Sequence, residues 1–148
     1  MDSKKDILNT LLVELFNNIM TIEEKVLHSD KFDDLSLTEF HVIAAIGVEN
    51  MLKMSDIASK LGVTVGTLTI AINNLLKKEY VVRSRSETDR RVVYVTLTDK
   101  GHAAYDHHET FHQEMIEFVL NTLNETESEV LTKSLFKIIR YFKTKYES

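Results

Sequence analysis

The sequence predicts a mainly α-helical, single-domain protein with one small β-hairpin. Three observations point there. Pro is absent and Gly occurs four times in 148 residues, so little interrupts long helices. Apolar residues recur at alternating steps of four and three near both ends of the chain. Between them lies one stretch of β-rich, alternating sequence, residues 91–97, preceded by a second β-rich run at 81–86.

The elements follow in order. Within residues 5–28, Leu8, Leu12, Leu15, Ile19, Ile22 and Val26 form a heptad seam, which asks for a partner helix. After an acidic polar loop, Asp30 to Asp34, Ser36-Leu37-Thr38-Glu39 has the form of a capping box. The helix it opens runs to about Gly47 and buries Leu37, Val42, Ile43 and Ile46. A short helix from about Met54 to Leu61 stops at Gly62, which takes a left-handed cap without a Cβ penalty. Met51 and Met54 are expected to fill core there. Thr64 caps the next helix, to about Lys78. Its apolar side gathers Leu68, Ala71, Ile72 and Leu75, with Glu79 projected onto the same side; Gly66, Ile70, Asn73 and Lys77 cluster opposite. The two β-rich runs form a hairpin tipped by Glu87-Thr88-Asp89-Arg90. Thr98 caps a long helix to about Asn121, and Asn124 with Glu127 makes a capping box for the last, whose Leu131, Leu135, Ile138 and Phe142 repeat the 4, 3, 4 spacing.

A short helix, a Gly turn and a second helix make a helix-turn-helix, and the basic hairpin adds a wing. The net charge of −5 conceals an asymmetry. Residues 1–52 carry 4 basic and 10 acidic side chains, residues 53–101 carry 9 and 5, and residues 102–148 carry 5 and 8. The basic middle can aim one face at a polyanion. The exposed side of the second helix is small and polar rather than filled with Glu and Lys, as a solvated helix is. Thr64, Thr67 and Thr69 offer hydroxyls to phosphates or base edges, Ile70 suits thymine methyls, and Asn73 can pair with adenine. On the hairpin, Arg83, Arg85, Arg90 and Arg91 surround Asp89, a carboxylate able to clamp the turn and hold one guanidinium outward for a narrow minor groove. Duplex DNA is the expected partner.

The stretch Arg85 to Gly101 contains Asp89-Arg90-Arg91 and, at fixed distance, Leu97-Thr98-Asp99-Lys100-Gly101. This resembles the wing signature of the MarR family of winged-helix transcription factors. The resemblance implies that residues 36–101 form the DNA-binding lobe, that Arg91 enters the minor groove with Asp89 positioning it, and that Val65 to Lys77 is the recognition helix. It implies a homodimer packed through the flanking helices, residues 1–30 and 102–148. Two departures stand out: the recognition helix lacks the arginine many members carry, and Glu79 stands where Gly usually ends that helix. Within the family, Leu15-Phe16-Asn17-Asn18, Ile22-Glu23-Glu24, Leu61 through Thr69, Asn73-Asn74-Leu75 and Phe111-His112 resemble the FabT-type repressors of bacterial fatty-acid synthesis. That likeness implies a repressor of lipid-synthesis promoters with acyl-acyl carrier protein as corepressor.

Six histidines remain to be placed. His28 and His102 are expected at the surface. His108 and His112 are four apart and share a helix face, and Glu24 with His41 could complete a nitrogen/oxygen zinc site. This spacing is similar to that of zinc-responsive MarR-type repressors, although those often add a second site with a Cys, which this chain lacks. The alternative roles for these imidazoles are hydrogen bonding near the dimer helices, with no cofactor required, and a pH- or ligand-linked response. An enzyme is not expected: Cys, a Gly-rich phosphate loop and a nucleophile–base–orienter pattern are all missing. With no long apolar run or charged-then-apolar leader, the expected compartment is the cytoplasm, without membrane contact.

Overall fold

The structure is a computed structural model and describes residues 3–28, 31–49 and 51–146. Asp30, assigned above to the first loop, lies outside the described residues. Among the described residues six helices and three short strands follow in the order α1 (Lys4–Leu27), α2 (Leu37–Ile46), β1 (Leu52–Lys53), α3 (Met54–Leu61), α4 (Val65–Lys77), β2 (Val81–Arg85), β3 (Val93–Leu97), α5 (Asp99–Thr122) and α6 (Glu125–Tyr146). The chain divides into two compact units, Met1–Phe111 and His112–Ser148, the division falling inside α5. Among the described residues no helix is long and apolar enough to cross a membrane.

The helix starts obey local chemistry. Ser36 Oγ accepts from the Glu39 amide at 3.1 Å, and Glu39 accepts from the Ser36 amide at 3.0 Å. Asn124 and Glu127 make the same reciprocal pair for α6, at 2.8 and 3.1 Å. Thr98 Oγ1 accepts from the Gly101 amide at 3.1 Å and so caps α5. Gly62 ends α3 at φ 68°, in the left-handed region.

In the first unit, α2 is the central element: Phe40, Val42, Ile43 and Ile46 are all buried. They meet Ile57 of α3, Leu68, Ile72 and Leu75 of α4, and Val95 of β3 in one core. The expected hairpin is present, with Val81 opposite Leu97 and Arg85 opposite Val93. A third strand was not expected. Leu52 and Lys53 pair with Val95 and Tyr94, making a three-stranded sheet in the order β1-β3-β2. Met51, expected in the core, is instead 57% exposed beside this edge strand. In α1 the buried side is Glu23 and Leu27, while Leu8, Leu12, Leu15, Ile22 and Val26 of the seam stay about half exposed. In the second unit α6 buries none of its residues, and Leu131, Leu135, Ile138 and Phe142 all face out.

The end of α4 departs from the helical-wheel reading. Glu79 does not continue the helix; it adopts φ 67°, the left-handed region that costs an L-residue about 1–2 kcal/mol. The turn is a Schellman motif: the Tyr80 amide donates to the Leu75 carbonyl at 2.9 Å and the Glu79 amide to Leu76 at 3.1 Å. Just beyond, Tyr80 is fully buried, and a Cβ placed on Gly101 would lie 2.1 Å from the Tyr80 carbonyl oxygen. The glycine of the wing signature is therefore a close-approach residue, where α5 begins against the strand leaving α4. We expect Gly101→Ala to cost about 3 kcal/mol in urea unfolding, because the backbone it strikes has no room to move. Glu79→Gly should gain about 0.5–1 kcal/mol, the relieved left-handed strain less the extra freedom of glycine in the unfolded chain. An unchanged or lowered urea midpoint for Glu79→Gly would show the turn to be unstrained.

Candidate nucleic-acid interface

The recognition helix α4 turns Leu68, Ile72 and Leu75 into the core and leaves Gly66, Thr67, Ile70 and Asn73 exposed, Ile70 at 67%. Lys77 in the last turn is also exposed. The three threonines are not equivalent. Thr64 Oγ1 accepts from the Thr67 amide at 3.1 Å and donates to Thr67 Oγ1 at 3.0 Å, while Thr69 donates to the Val65 carbonyl at 2.7 Å. Those bonds commit the protons of Thr64 and Thr69 within the helix. Thr67 keeps its own for an external acceptor such as a phosphate.

The wing is fixed by its own turn. The Ser86 amide donates to the Val92 carbonyl and the Val92 amide to the Asp89 carbonyl, each at 3.0 Å. Asp89 accepts from the Arg91 backbone amide at 3.1 Å and from Arg91 Nε at 3.2 Å. The Arg91 side chain is nevertheless 92% exposed. Its side-chain bond, then its backbone bond, hold the Asp89 carboxyl below the usual aspartate value, so the clamp stays ionised at neutral pH. The aspartate thus aims an arginine into solvent from a short, closed turn. Arg83 and Arg85 on β2 and Arg90 at the tip are likewise exposed.

Two further residues belong to this surface and were missed in the sequence. Lys53 of β1 and Ser55 of α3 line a cleft of about 380 Å3 together with Thr69, Arg83 and Arg91. Three cations therefore meet between the wing and the starts of α3 and α4. Lys53 was invisible because its place depends on the pairing of β1 with β3, a contact across more than forty residues.

The histidine cluster is only partly as expected. Within the first unit Glu23 Oε1 lies 2.7 Å from His108 Nε2 and 3.1 Å from His41 Nε2. The carboxylate is Glu23 rather than Glu24. Leu27, four residues on and buried, marks the inward side of α1 as that of Glu23, while Glu24 lines a different cleft with His28 and Leu37. His112 lies one turn beyond His108, in the second unit. His28 and His102 are exposed, as expected. His107 instead contacts the Leu27 carbonyl at 3.2 Å and stacks on Phe32, ring centres 5.1 Å apart. Burial pushes the Glu23 carboxyl pKa up, but the bonds from His108 and then His41 outweigh it and hold it below the usual glutamate value. A carboxylate so depressed adds stability above its unfolded pKa, and that stability is lost as pH falls through the folded value. Glu23→Gln should therefore cost about 2 kcal/mol near pH 7. The gap to the parent protein should close on acidification below the glutamate range; a gap independent of pH would remove the charge from the account.

With this geometry in place, known proteins supply the context. Residues 35–93 match the MarR family. FabT of Streptococcus pneumoniae, solved in complex with DNA, is 37% identical and superimposes with a TM-score of 0.91, over 95% of this chain and 99% of that one. The transcriptional regulator MhqR of Bacillus subtilis is 29% identical over 104 residues, 70% of this chain and 72% of its own. SarZ of Staphylococcus saprophyticus, another such regulator, is 40% identical over 68 residues, so the match spans about half of each chain. Carrying the matched lobe, the clamped wing arginine and full-length likeness to a DNA-bound relative, the chain belongs to the MarR family of winged-helix, DNA-binding transcriptional regulators.

Proposed function

We propose that this regulator is a homodimeric repressor, each subunit reading one half of a palindromic operator with α4 in the major groove and Arg91 in the flanking minor groove. The observation that carries the reading is the exposed Arg91 guanidinium fixed by Asp89 beside the small, uncharged N-terminal half of the exposed face of α4. Paired subunits place recognition helices about 34 Å apart, one turn of B-DNA. Support for the dimer comes from the half-exposed apolar seams of α1 and α6, each of which presents more apolar surface than a monomer keeps wet. The full-length likeness to FabT favours promoters of fatty-acid synthesis as targets, with acyl-acyl carrier protein as corepressor. Repression follows from occupying the promoter, and the corepressor acts by favouring the DNA-binding arrangement of the two lobes.

A second reading rests on the Glu23, His41 and His108 cluster, whose donor atoms all lie within 4.8 Å of one another. Two imidazoles and a carboxylate suit zinc. Seating the ion requires the 2.7 Å contact to open to roughly 3.3 Å, the spacing of ligands about 2.0 Å from a tetrahedral metal. Metal content after purification, and duplex binding with chelator or added zinc, separate a zinc-responsive repressor from one whose histidines only bond to Glu23.

Selection of binding sites from random duplexes, repeated with acyl-acyl carrier protein, tests the main reading. We expect a palindrome, bound more tightly with the acylated carrier than with the unacylated one. Arg91→Ala should weaken binding to the selected duplex by about 10- to 100-fold at unchanged thermal stability. Asn73→Ala should flatten preference at one base position, worth about 1–3 kcal/mol, more than it lowers general affinity. Wild-type affinity in Arg91→Ala would remove the wing from the mechanism.

A further inference from the structure

Lys78, at the end of the recognition helix, has the sequence appearance of one more phosphate-binding cation. Its contacts are elsewhere. Lys78 Nζ donates to both carboxylate oxygens of Glu39 at 2.9 Å and also to the Asp34 carbonyl. Glu39 is buried, and through the Ser36 amide it is already part of the cap of α2. Next along the chain, the hydroxyl of fully buried Tyr80 donates to Asp34 Oδ1 at 2.7 Å. Lys100 of α5 stands 4.3 Å over the Tyr80 ring, donates to the Lys78 carbonyl at 2.9 Å and lies 3.9 Å from Asp34. Between them, Thr98 Oγ1 donates to the Glu79 carbonyl at 2.7 Å. The three residues that join the recognition helix to the first wing strand are thus held on one side by the α1–α2 loop and the start of α2, and on the other by the start of α5.

We propose that Lys78, Glu39, Tyr80 and Asp34 are positioning residues for DNA reading: they set the angle of α4 relative to the wing and to α2, and touch no DNA themselves. A lysine bonded to both oxygens of a buried glutamate is not free to follow a phosphate, because leaving would strand a desolvated carboxylate. Moving the junction tilts α4 and β2 against each other, and a small tilt at a helix end displaces base-contacting side chains while phosphate contacts re-form nearby. The same junction exposes the recognition helix to the state of the α1–α2 loop, through Asp34.

The inference builds on the DNA-binding role of this lobe, and its test uses the full-length protein, the duplex selected by the wild type and a scrambled duplex of equal length. Glu39→Gln is the decisive variant, because the amide still accepts from Ser36 but the charge holding Lys78 is gone. Removing a negative charge should strengthen DNA binding if only electrostatics mattered. We expect the opposite: Glu39→Gln, Lys78→Met and Tyr80→Phe each lower affinity for the selected duplex by about 5- to 10-fold, with the scrambled duplex and the salt slope unchanged. Glu39→Gln with Lys78→Met should be no worse than the weaker single variant. Tyr80→Phe keeps the buried ring and so reports even if a lysine variant folds poorly. The proposal is overturned if Glu39→Gln binds as well as or better than wild type. It is equally overturned if Lys78→Met weakens both duplexes alike and lowers the salt slope by about one, which makes Lys78 a phosphate contact. Loss of thermal stability at unchanged affinity for both duplexes would reduce the network to a purely structural one.

Discussion

The DNA-reading lobe depends on how the chain reverses between Lys77 and Val81. There the recognition helix ends in a left-handed turn on a glutamate, the next carbonyl is pressed against Gly101, and the buried Tyr80 ring fixes the direction of the strand that becomes the wing. A looser connection would let the two DNA-contacting devices move independently, and each alone is weak: a short helix with few charged side chains and a small hairpin. Joined rigidly, they present a helix and an arginine in one fixed geometry, which is what simultaneous entry into adjacent grooves requires. Each buried side-chain polar atom among the described residues has a partner, so the junction holds its charges without the penalty of a stranded group.

A protein of net charge −5 binds a polyanion here because charge is placed locally. Lys53, Arg83 and Arg91 line one cleft, and with a Debye length of about 10 Å such a local cluster, rather than the net charge, sets the field at that surface. Asp89 contributes despite its sign, since it trades one charge for a fixed guanidinium direction. The recognition face adds small and apolar side chains, suited to reading base edges rather than to adding general affinity.

Much of this was legible in the sequence, and the pattern of success follows the range of the interactions. Capping boxes at Ser36 and Asn124, the Gly62 stop and the alternation of 93–97 are local, and each element formed close to where its residues indicated. What escaped depends on contacts distant along the chain. The two-residue strand Leu52–Lys53 exists only because β3 is there to pair with it, and it carries Met51 out of the core. Glu23 and Glu24 are adjacent acids, and only the burial of Leu27, beside the half-exposed seam at Ile22 and Val26, marks Glu23 as the inward one. Thr64 and Thr69 have the right chemistry for phosphate, but their protons are spent on the helix itself. Glu79 was a visible oddity; only the backbone shows that it occupies the glycine position without displacing it.

The central claim is that one rigid lobe per subunit engages both grooves at once. Dimethyl sulfate footprinting of the wild-type protein on its selected duplex, which reports guanine N7 in the major groove and adenine N3 in the minor groove, tests that claim most directly. The account predicts two protected major-groove segments whose centres lie about 10 base pairs apart, each flanked by minor-groove protection on its outer side. Protection confined to one segment, or to major grooves without flanking minor-groove contact, would contradict it.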